Sequence, residues 1–508
     1  MSFAGTAERS PPLRRAGTLA FAICTLYVLA LAYPVHLHIV GVFTDFYRFY
    51  APDADRLALG EFPQNTNNPP GYPVLLFLAS PLTGDRFTSG KWMSLLAAGL
   101  TGVLAFYLHR RLFGAAAALL AVPIILLSEA FTGYSISAMT EIPFLSVCLG
   151  AMLAITDERR GGWQSAVLSG VLCGVAYLIR YNGVFLLVPG LLGVIWREGA
   201  APSRAKLAAA YLGSFLLTVA PWWWLNYTQH GSPFYSTNYV DIVRALALTG
   251  EGRELTSLTD AVLNDPGRFA RNYVRHAGLV LYNTFGASLA VLPVGPLAAL
   301  GILLSLARHR RRPVLLVLIG ALSFLLLMSL THWDRRYYFF LLVCYSGFAA
   351  FTIFKVAQRI GRALNSPLAE RLAVVTLALW ILIPSVGLTW QRVHTTLGRQ
   401  PIELLPAARY LDGLAPRGAT VMAVRPHIAY LSHRQWREFP PGAGSVDELK
   451  AMLRGRPPDY LVYDRWGRQI YKQLMALAKP DGTFPWLRPI YNDQTGGVVI
   501  YAVQPDRR

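Results

Sequence analysis

Asp45 stands where the first long apolar run gives way to Thr44-Asp45-Phe46-Tyr47-Arg48-Phe49-Tyr50. A carboxylate at such a boundary can take a proton from an attacking hydroxyl, which is the work of a general base. Arg48 and Tyr50 lie within reach of whatever the acid would act on. The chain then continues through Asp53 and Asp55 to Asn65-Thr66-Asn67-Asn68-Pro69-Pro70-Gly71-Tyr72-Pro73, far longer than a turn between two helices needs, and long ordered connections usually carry a function. Other chemistry-bearing residues also fall at the ends of apolar runs: Glu141, Arg180-Tyr181, Asn226, and Arg335-Arg336-Tyr337. Arginines in this setting can hold a phosphate through paired, charge-assisted hydrogen bonds.

The elements that must position these groups are membrane helices. The composition is 54% hydrophobic with only 15% charged residues, in repeated apolar runs of spanning length, which describes a polytopic membrane protein. The first run, about 17–42, is too long for a cleaved signal and should remain as a helix. The net charge of +19 comes mainly from arginines in short connections, a pattern produced by membrane topology and not by nucleic-acid binding. Cys24, Cys148, Cys173 and Cys344 fall in apolar runs without metal or redox spacing and read as small buried hydrophobes.

Inside markers are Arg9, Arg14 and Arg15, Arg110-Arg111, Arg159-Arg160, Arg197, His309-Arg310-Arg311 and Arg359-Arg362. They place Asp45, Glu141, Arg180, Asn226 and Arg335-Arg336 together on the outer side. The count is about eleven spans. Two short helices should meet at the Arg180-Tyr181-Asn182-Gly183 break, and Trp222-Trp223-Trp224 reads as an interfacial belt. Residues 1–389 form the expected membrane module, with an external loop 43–90 and an external segment 226–287. Residues 390–508 alternate short β-type runs (420–424, 460–464, 497–501) with a capped helix at 445–453, which predicts an extracytoplasmic α/β domain.

Asp45 followed by Tyr50, Ala54, Leu57, Leu59 and Gly60, then Pro69-Pro70-Gly71-Tyr72-Pro73, resembles the first external loop of the GT-C glycosyltransferases. The similarity is to the protein O-mannosyltransferase and aminoarabinose transferase group. The Arg180–Gly183 break, Pro221 with Asn226, Gly231-Ser232-Pro233-Phe234 and Arg336-Tyr337-Tyr338 are similar to segments of bacterial members. The resemblance implies a multi-pass protein of the cell (inner) membrane with its site on the extracytoplasmic face. It implies transfer of a sugar from a polyprenyl-phosphate donor to a glycan, lipid or protein acceptor, with Asp45 as the base or acceptor-orienting acid. Many protein O-mannosyltransferases carry Asp-Glu at this place, whereas this chain has Asp45-Phe46, a departure that bears on the acceptor.

The residues agree with an inverting transfer in which Asp45 is the base and Arg335, Arg336 and Arg180 hold the departing phosphate. Glu141 is the second candidate acid, orienting the acceptor or helping Asp45 hold a divalent cation. Its other reading is an acid favoured by the dipole at a helix start. Arg48, Tyr50, Tyr181, Asn226 and Tyr337 complete the expected substrate-binding set. Two other readings stand beside this one: a transporter or flippase of lipid-linked sugars, and a scaffold whose terminal domain binds cell-wall components. Transporters place ionisable groups at the bilayer midplane and often repeat their halves, and neither pattern is visible here.

Overall fold

A computed structural model describes residues 11–36, 40–41, 43–157, 162–197, 201–248, 258–287, 289–308, 312–414, 416–493 and 497–504. The inside markers Arg9, Arg159, Arg160 and His309–Arg311 lie outside the described residues. The chain forms two compact units, one of Met1–Val35 with Phe62–Thr396, the other of His36–Glu61 with Leu397–Arg508. The expected division at 389/390 falls inside the continuous helix Pro367–Gly398. The segment carrying Asp45 packs with the C-terminal residues, because its aromatic side chains find their partners there.

In the first unit, six helices among the described residues are long and apolar enough to cross a membrane: Arg15–Ala32, Arg86–Phe113, Gly162–Ile179, Ser203–His230, Arg335–Ala363 and Pro367–Gly398. Ala115–Leu126 with Glu129–Ser135, bent by 68° at the break between them, makes a seventh where the pair counts as one span. The expected count was about eleven. The difference lies in Gly71–Thr83, Glu141–Ile155, Tyr181–Ile195, Val294–Ala307 and Arg312–Met328, which are apolar but only 10–17 residues long. At about 1.5 Å per residue, such helices fall short of a hydrocarbon core roughly 30 Å thick. The expected loop 43–90 is likewise largely helical, containing Ala51–Ala58 and Gly71–Thr83.

Charges sort to the two ends of this unit. At one end Arg111 donates to Leu153 O (2.6 Å) and Thr156 Oγ1 (2.8 Å), Arg197 donates to Asp157 O (2.8 Å), and Arg312 donates to Gly193 O. The helix Glu141–Ile155 runs from there to the opposite end, where Glu141 meets Arg180 and Arg336. Two glycines of the quoted motifs allow backbones to meet at that end. A Cβ on Gly71 would lie 2.4 Å from Leu178 O, and one on Gly183 would lie 2.4 Å from Tyr177 N, so no larger residue fits either place. The break at Arg180 is real: helix Gly162–Ile179 stops there and a 3-10 helix, Tyr181–Leu186, follows.

The second unit is built on a five-stranded sheet of β1 (Thr420–Met422), β2 (Gln435–Arg437), β3 (Tyr460–Tyr463), β4 (Leu487–Asp493) and β5 (Val498–Val503). Their order is β2-β1-β3-β5-β4, with β1 parallel to β2 and β3, and β5 antiparallel to β3 and β4. Alternate residues serve opposite faces. Val421, Val462, Val498 and Ile500 pack on helix Leu404–Leu414, whereas Met422, Leu461, Val499 and Tyr501 pack with Leu449, Leu453, Leu474 and Leu477. Helix Val446–Leu453 has the expected cap, Ser445 accepting from Glu448 N at 3.2 Å. β2 and β4 went unpredicted, since Gln435-Trp436-Arg437 is too short and polar, and Pro489 interrupts β4 at a bulge.

Candidate functional site

The helix Glu141–Ile155 begins at an acid, and the break after Ile179 turns Arg180 towards it. Arg180 Nη1 lies 3.0 Å from Glu141 Oε1 and donates to Thr140 Oγ1 at 2.7 Å. From the start of the last-but-one long helix, Arg336 Nε approaches Glu141 Oε1 (3.9 Å) and Asp334 Oδ2 (3.1 Å), and its Nη2 donates to Tyr337 Oη at 2.7 Å. The Tyr337 ring lies beside both guanidinium groups, 5.0 Å from that of Arg180 and 4.7 Å from that of Arg336. Glu141 is buried, Phe144, Phe324, Phe339 and Phe340 help to wall the small space beside it, and its Oε2 has no hydrogen-bond partner among the described residues. A carboxylate among two arginines in an apolar wall is a counterion that fixes them.

Arg335, one residue earlier, points elsewhere. It grips Glu129 with both nitrogens, Nη1 to Oε2 at 2.7 Å and Nη2 to Oε1 at 3.1 Å, and Arg392 Nε approaches the same carboxylate at 3.6 Å. Glu129, Ser128 and Arg335 border a cavity of about 720 Å³ whose remaining wall is mostly apolar, including Leu289, Leu292, Trp380, Ile383 and Leu388. The volume lies within the range of ligand pockets, roughly 300–1,000 Å³. An apolar chamber with an arginine at its margin suits an amphiphile with an anionic head.

In the second unit Asp45 precedes a π-helical turn, Phe46–Tyr50, a feature frequent at functional sites. Asp45 is half-buried, and its carboxylate does not cap that turn. Tyr47 and Tyr50 are buried. Arg48 is exposed, lies over the Trp436 ring at 5.2 Å and meets Glu438 at 3.5 Å.

The sequence profile of the dolichyl-phosphate-mannose-protein mannosyltransferase family matches residues 67–224. Among solved structures, the chain superposes on ArnT from Cupriavidus metallidurans bound to undecaprenyl phosphate with a TM-score of 0.61 at 14% identity, covering 94% of this chain and 97% of that one. It superposes on the oligosaccharyltransferase AglB from Archaeoglobus fulgidus, in complex with an inhibitory peptide and a dolichol-phosphate, with a TM-score of 0.64 at 14% identity, covering 98% and 75%. The chain therefore shares the fold of these two proteins. No curated protein matches it significantly in sequence.

Within this fold several of the expected residues make structural contacts. Asn226 is buried, and its Nδ2 donates to Pro233 O (3.3 Å) and Tyr235 O (3.4 Å), holding the Gly231–Phe234 turn and leaving no amide hydrogen for a ligand. Tyr181 Oη accepts from Trp222 Nε1 at 3.3 Å, and Trp223 Nε1 donates to Tyr177 Oη at 3.2 Å, so two of the three tryptophans tie helices together. Asp334 caps the turn after it by accepting from Arg336 N at 3.1 Å. At Glu141 the Arg180 guanidinium holds Oε1. Among the described residues no group of three or more His, Cys, Asp or Glu side chains gathers as a metal site.

Glu129 and Arg392 were missed as site residues, because Ser128–Tyr134 reads as a connection and Arg392 follows an apolar run like any interfacial arginine. The α/β unit also buries two polar side chains, His427 and Asp464. Burial, then the charge of Arg425, pushes the His427 imidazole down to about 3. Burial pushes the Asp464 carboxyl up to about 6, against the N–H groups of Gly467 and Trp466 that it accepts from.

These two groups oppose each other in acid. From pH 6.5 down to about 3 the unfolded chain holds a His427 proton that the folded one lacks, so this group's contribution rises with pH. Between about 4 and 6 the folded chain holds an Asp464 proton that the unfolded one releases, so that contribution is full below the unfolded value and falls as pH rises. In His427→Gln only the second slope remains. The protection of β1 and β3 amides in the full-length protein, corrected for intrinsic exchange, should decline from pH 4 to 6 in the variant and change little in the parent. Protection that rises over this range in the variant would contradict the assignment.

Proposed function

We propose that the chain is an integral-membrane glycosyltransferase of the cell (inner) membrane, moving a sugar from a polyprenyl-phosphate donor to an acceptor hydroxyl at the extracytoplasmic face with inversion. The observation that carries this reading is the 720 Å³ apolar cavity bordered by Arg335 and Glu129. Proteins of the same fold bind undecaprenyl phosphate and dolichol-phosphate, which supports a polyprenyl chain as its occupant.

In the reaction, the acceptor oxygen attacks the anomeric carbon from the side opposite the phosphate, and the bond from that carbon to the phosphate oxygen breaks. Polyprenyl phosphate leaves with the electron pair and stays in the bilayer through its tail. Asp45 takes the acceptor's proton as the new bond forms. The arginines meet the charge that grows on the departing phosphate. Arg180 and Arg336 come with their orientation already set by Glu141, Thr140, Asp334 and Tyr337, so little reorganisation is needed when charge develops. Arg335 is held by Glu129 at the cavity margin and exchanges that partner for the phosphate when donor enters.

The test is transfer by the full-length protein in nanodiscs, using a panel of labelled polyprenyl-phosphate sugars and lipid, glycan and peptide acceptors. A new glycoside formed with stoichiometric polyprenyl phosphate is the expected product; movement of intact donor across the bilayer without a new glycoside would reject the reading. Ile383 lines the cavity with an exposed side chain, so Ile383→Trp narrows the chamber without crowding the core. It should raise the donor KM by roughly tenfold with kcat retained, the pattern of lost uniform binding. An unchanged KM would remove the lipid tail from this cavity.

A further inference from the structure

We propose that the C-terminal α/β unit is a positioning device for the catalytic acid: His427 and Tyr430 grip the chain on both sides of Asp45 and fix the direction of its carboxylate. This rests on the reading of Asp45 as the base.

Residues 36–61 belong to the same compact unit as residues 397–508, although residues 62–396 separate them in sequence. Before Asp45, Gly41 spends both backbone groups on C-terminal side chains. Its N–H donates to Gln400 Oε1 at 3.0 Å, and its carbonyl lies 3.2 Å from His427 Nε2. The left-handed backbone of Gly41, φ +82°, is what presents both groups this way. A carbonyl only accepts, so His427 must carry its hydrogen on Nε2, and the depressed basicity of this buried ring keeps it in that neutral form.

After Asp45, the Tyr47 ring lies 4.6 Å from His427 and 5.2 Å from Tyr430, while its hydroxyl closes the loop onto Val40 O at 2.5 Å. His427 is backed in turn by Trp466 at 4.7 Å. Farther on, Tyr430 Oη donates to Asp55 Oδ2 at 3.1 Å. The result is a column of rings, Trp466, His427, Tyr47 and Tyr430, with hydrogen bonds to the chain at Gly41 and Asp55. Tyr47 and His427 are completely enclosed.

Such a clamp is needed because the short helical run 44–58, interrupted by the π-turn after Asp45, is marginal on its own. A base, by contrast, must be kept within about 0.5 Å of its working position. His427 and Tyr430 are therefore positioning residues, acting through Asp45 and touching no substrate.

His427→Ala and Tyr430→Phe test this in the full-length protein. The expected result is a kcat lowered by about 100-fold for His427→Ala and by a smaller factor for Tyr430→Phe, with donor KM unchanged. His427→Phe, which keeps a ring in the column, should return part of the loss. Amides of residues 43–55 should exchange faster while those of β1, β3 and β5 keep their protection. In an Asp45→Asn background, His427→Ala should cost nothing further, since the group it positions is gone. An equal loss in that background, or a loosened segment with full kcat, would overturn the proposal. The exchange measurement reads the clamp without any turnover, so unchanged exchange rejects the clamp itself. Full activity in Asp45→Asn alone rejects the base, and the two failures are distinguishable.

Discussion

Asp45→Asn should lower transfer by about a thousandfold while leaving donor affinity and folding intact. A positioned general base contributes roughly 10²–10⁴ to rate, and asparagine has nearly the same shape without the ability to take a proton. Asp45 does not cap the turn that follows it, the clamp at Gly41, Tyr47 and Asp55 uses other atoms, and asparagine keeps the side chain's volume and one acceptor oxygen, so the segment should stay in place. The loss should therefore fall on kcat. Single-turnover transfer from labelled donor, with donor binding measured separately, gives both quantities. Turnover within a few-fold of the parent would assign the proton to another acceptor.

Glu141→Ala should unfold or strongly destabilise the membrane unit, whatever its effect on transfer. The carboxylate is buried against four phenylalanines and stands 3.0 Å from Arg180 and 3.9 Å from Arg336. Removing one partner of a buried ion pair leaves the other charge uncompensated, at about 3–5 kcal/mol, against total stabilities of about 5–15 kcal/mol. Arg336 would keep Asp334, but the Arg180 guanidinium would be left with Thr140 and the Tyr337 ring among the contacts described above. Glu141→Gln, which retains an acceptor, should lose less. Glu141→Ala combined with Arg180→Met should recover part of the stability, because no naked charge remains. Thermal unfolding in detergent checks the series; a Tm for Glu141→Ala equal to the parent's would show that the pair is not buried in the sense described.

These two acids were read alike from the sequence, each as an acid beside an apolar run, and the fold assigns them different surroundings. Asp45 goes to a half-buried turn held by aromatic rings, and Glu141 to an apolar enclosure between arginines. Arg335 and Arg336 show the same separation between adjacent residues. The 3-10 turn after Asp334 sends one to Glu129 at the cavity margin and the other to Glu141.

The sequence alone determined what depends on local composition and periodicity. Apolar runs wrote the helices, the Arg180–Gly183 interruption wrote the break, and Ser445 with Glu448 wrote the cap of a helix in the α/β unit. Gly71 and Gly183 were legible as motif glycines, but the backbones they admit were not. Only the tertiary structure decided that the segment around Asp45 packs with residues far along the chain, that Glu129 is the partner of Arg335, and that Asn226 holds a turn. A hydrogen-bond partner, a buried charge pair and a cavity wall are each made by elements distant in sequence. Local pattern records that a side chain is polar, and packing alone settles which other group it meets.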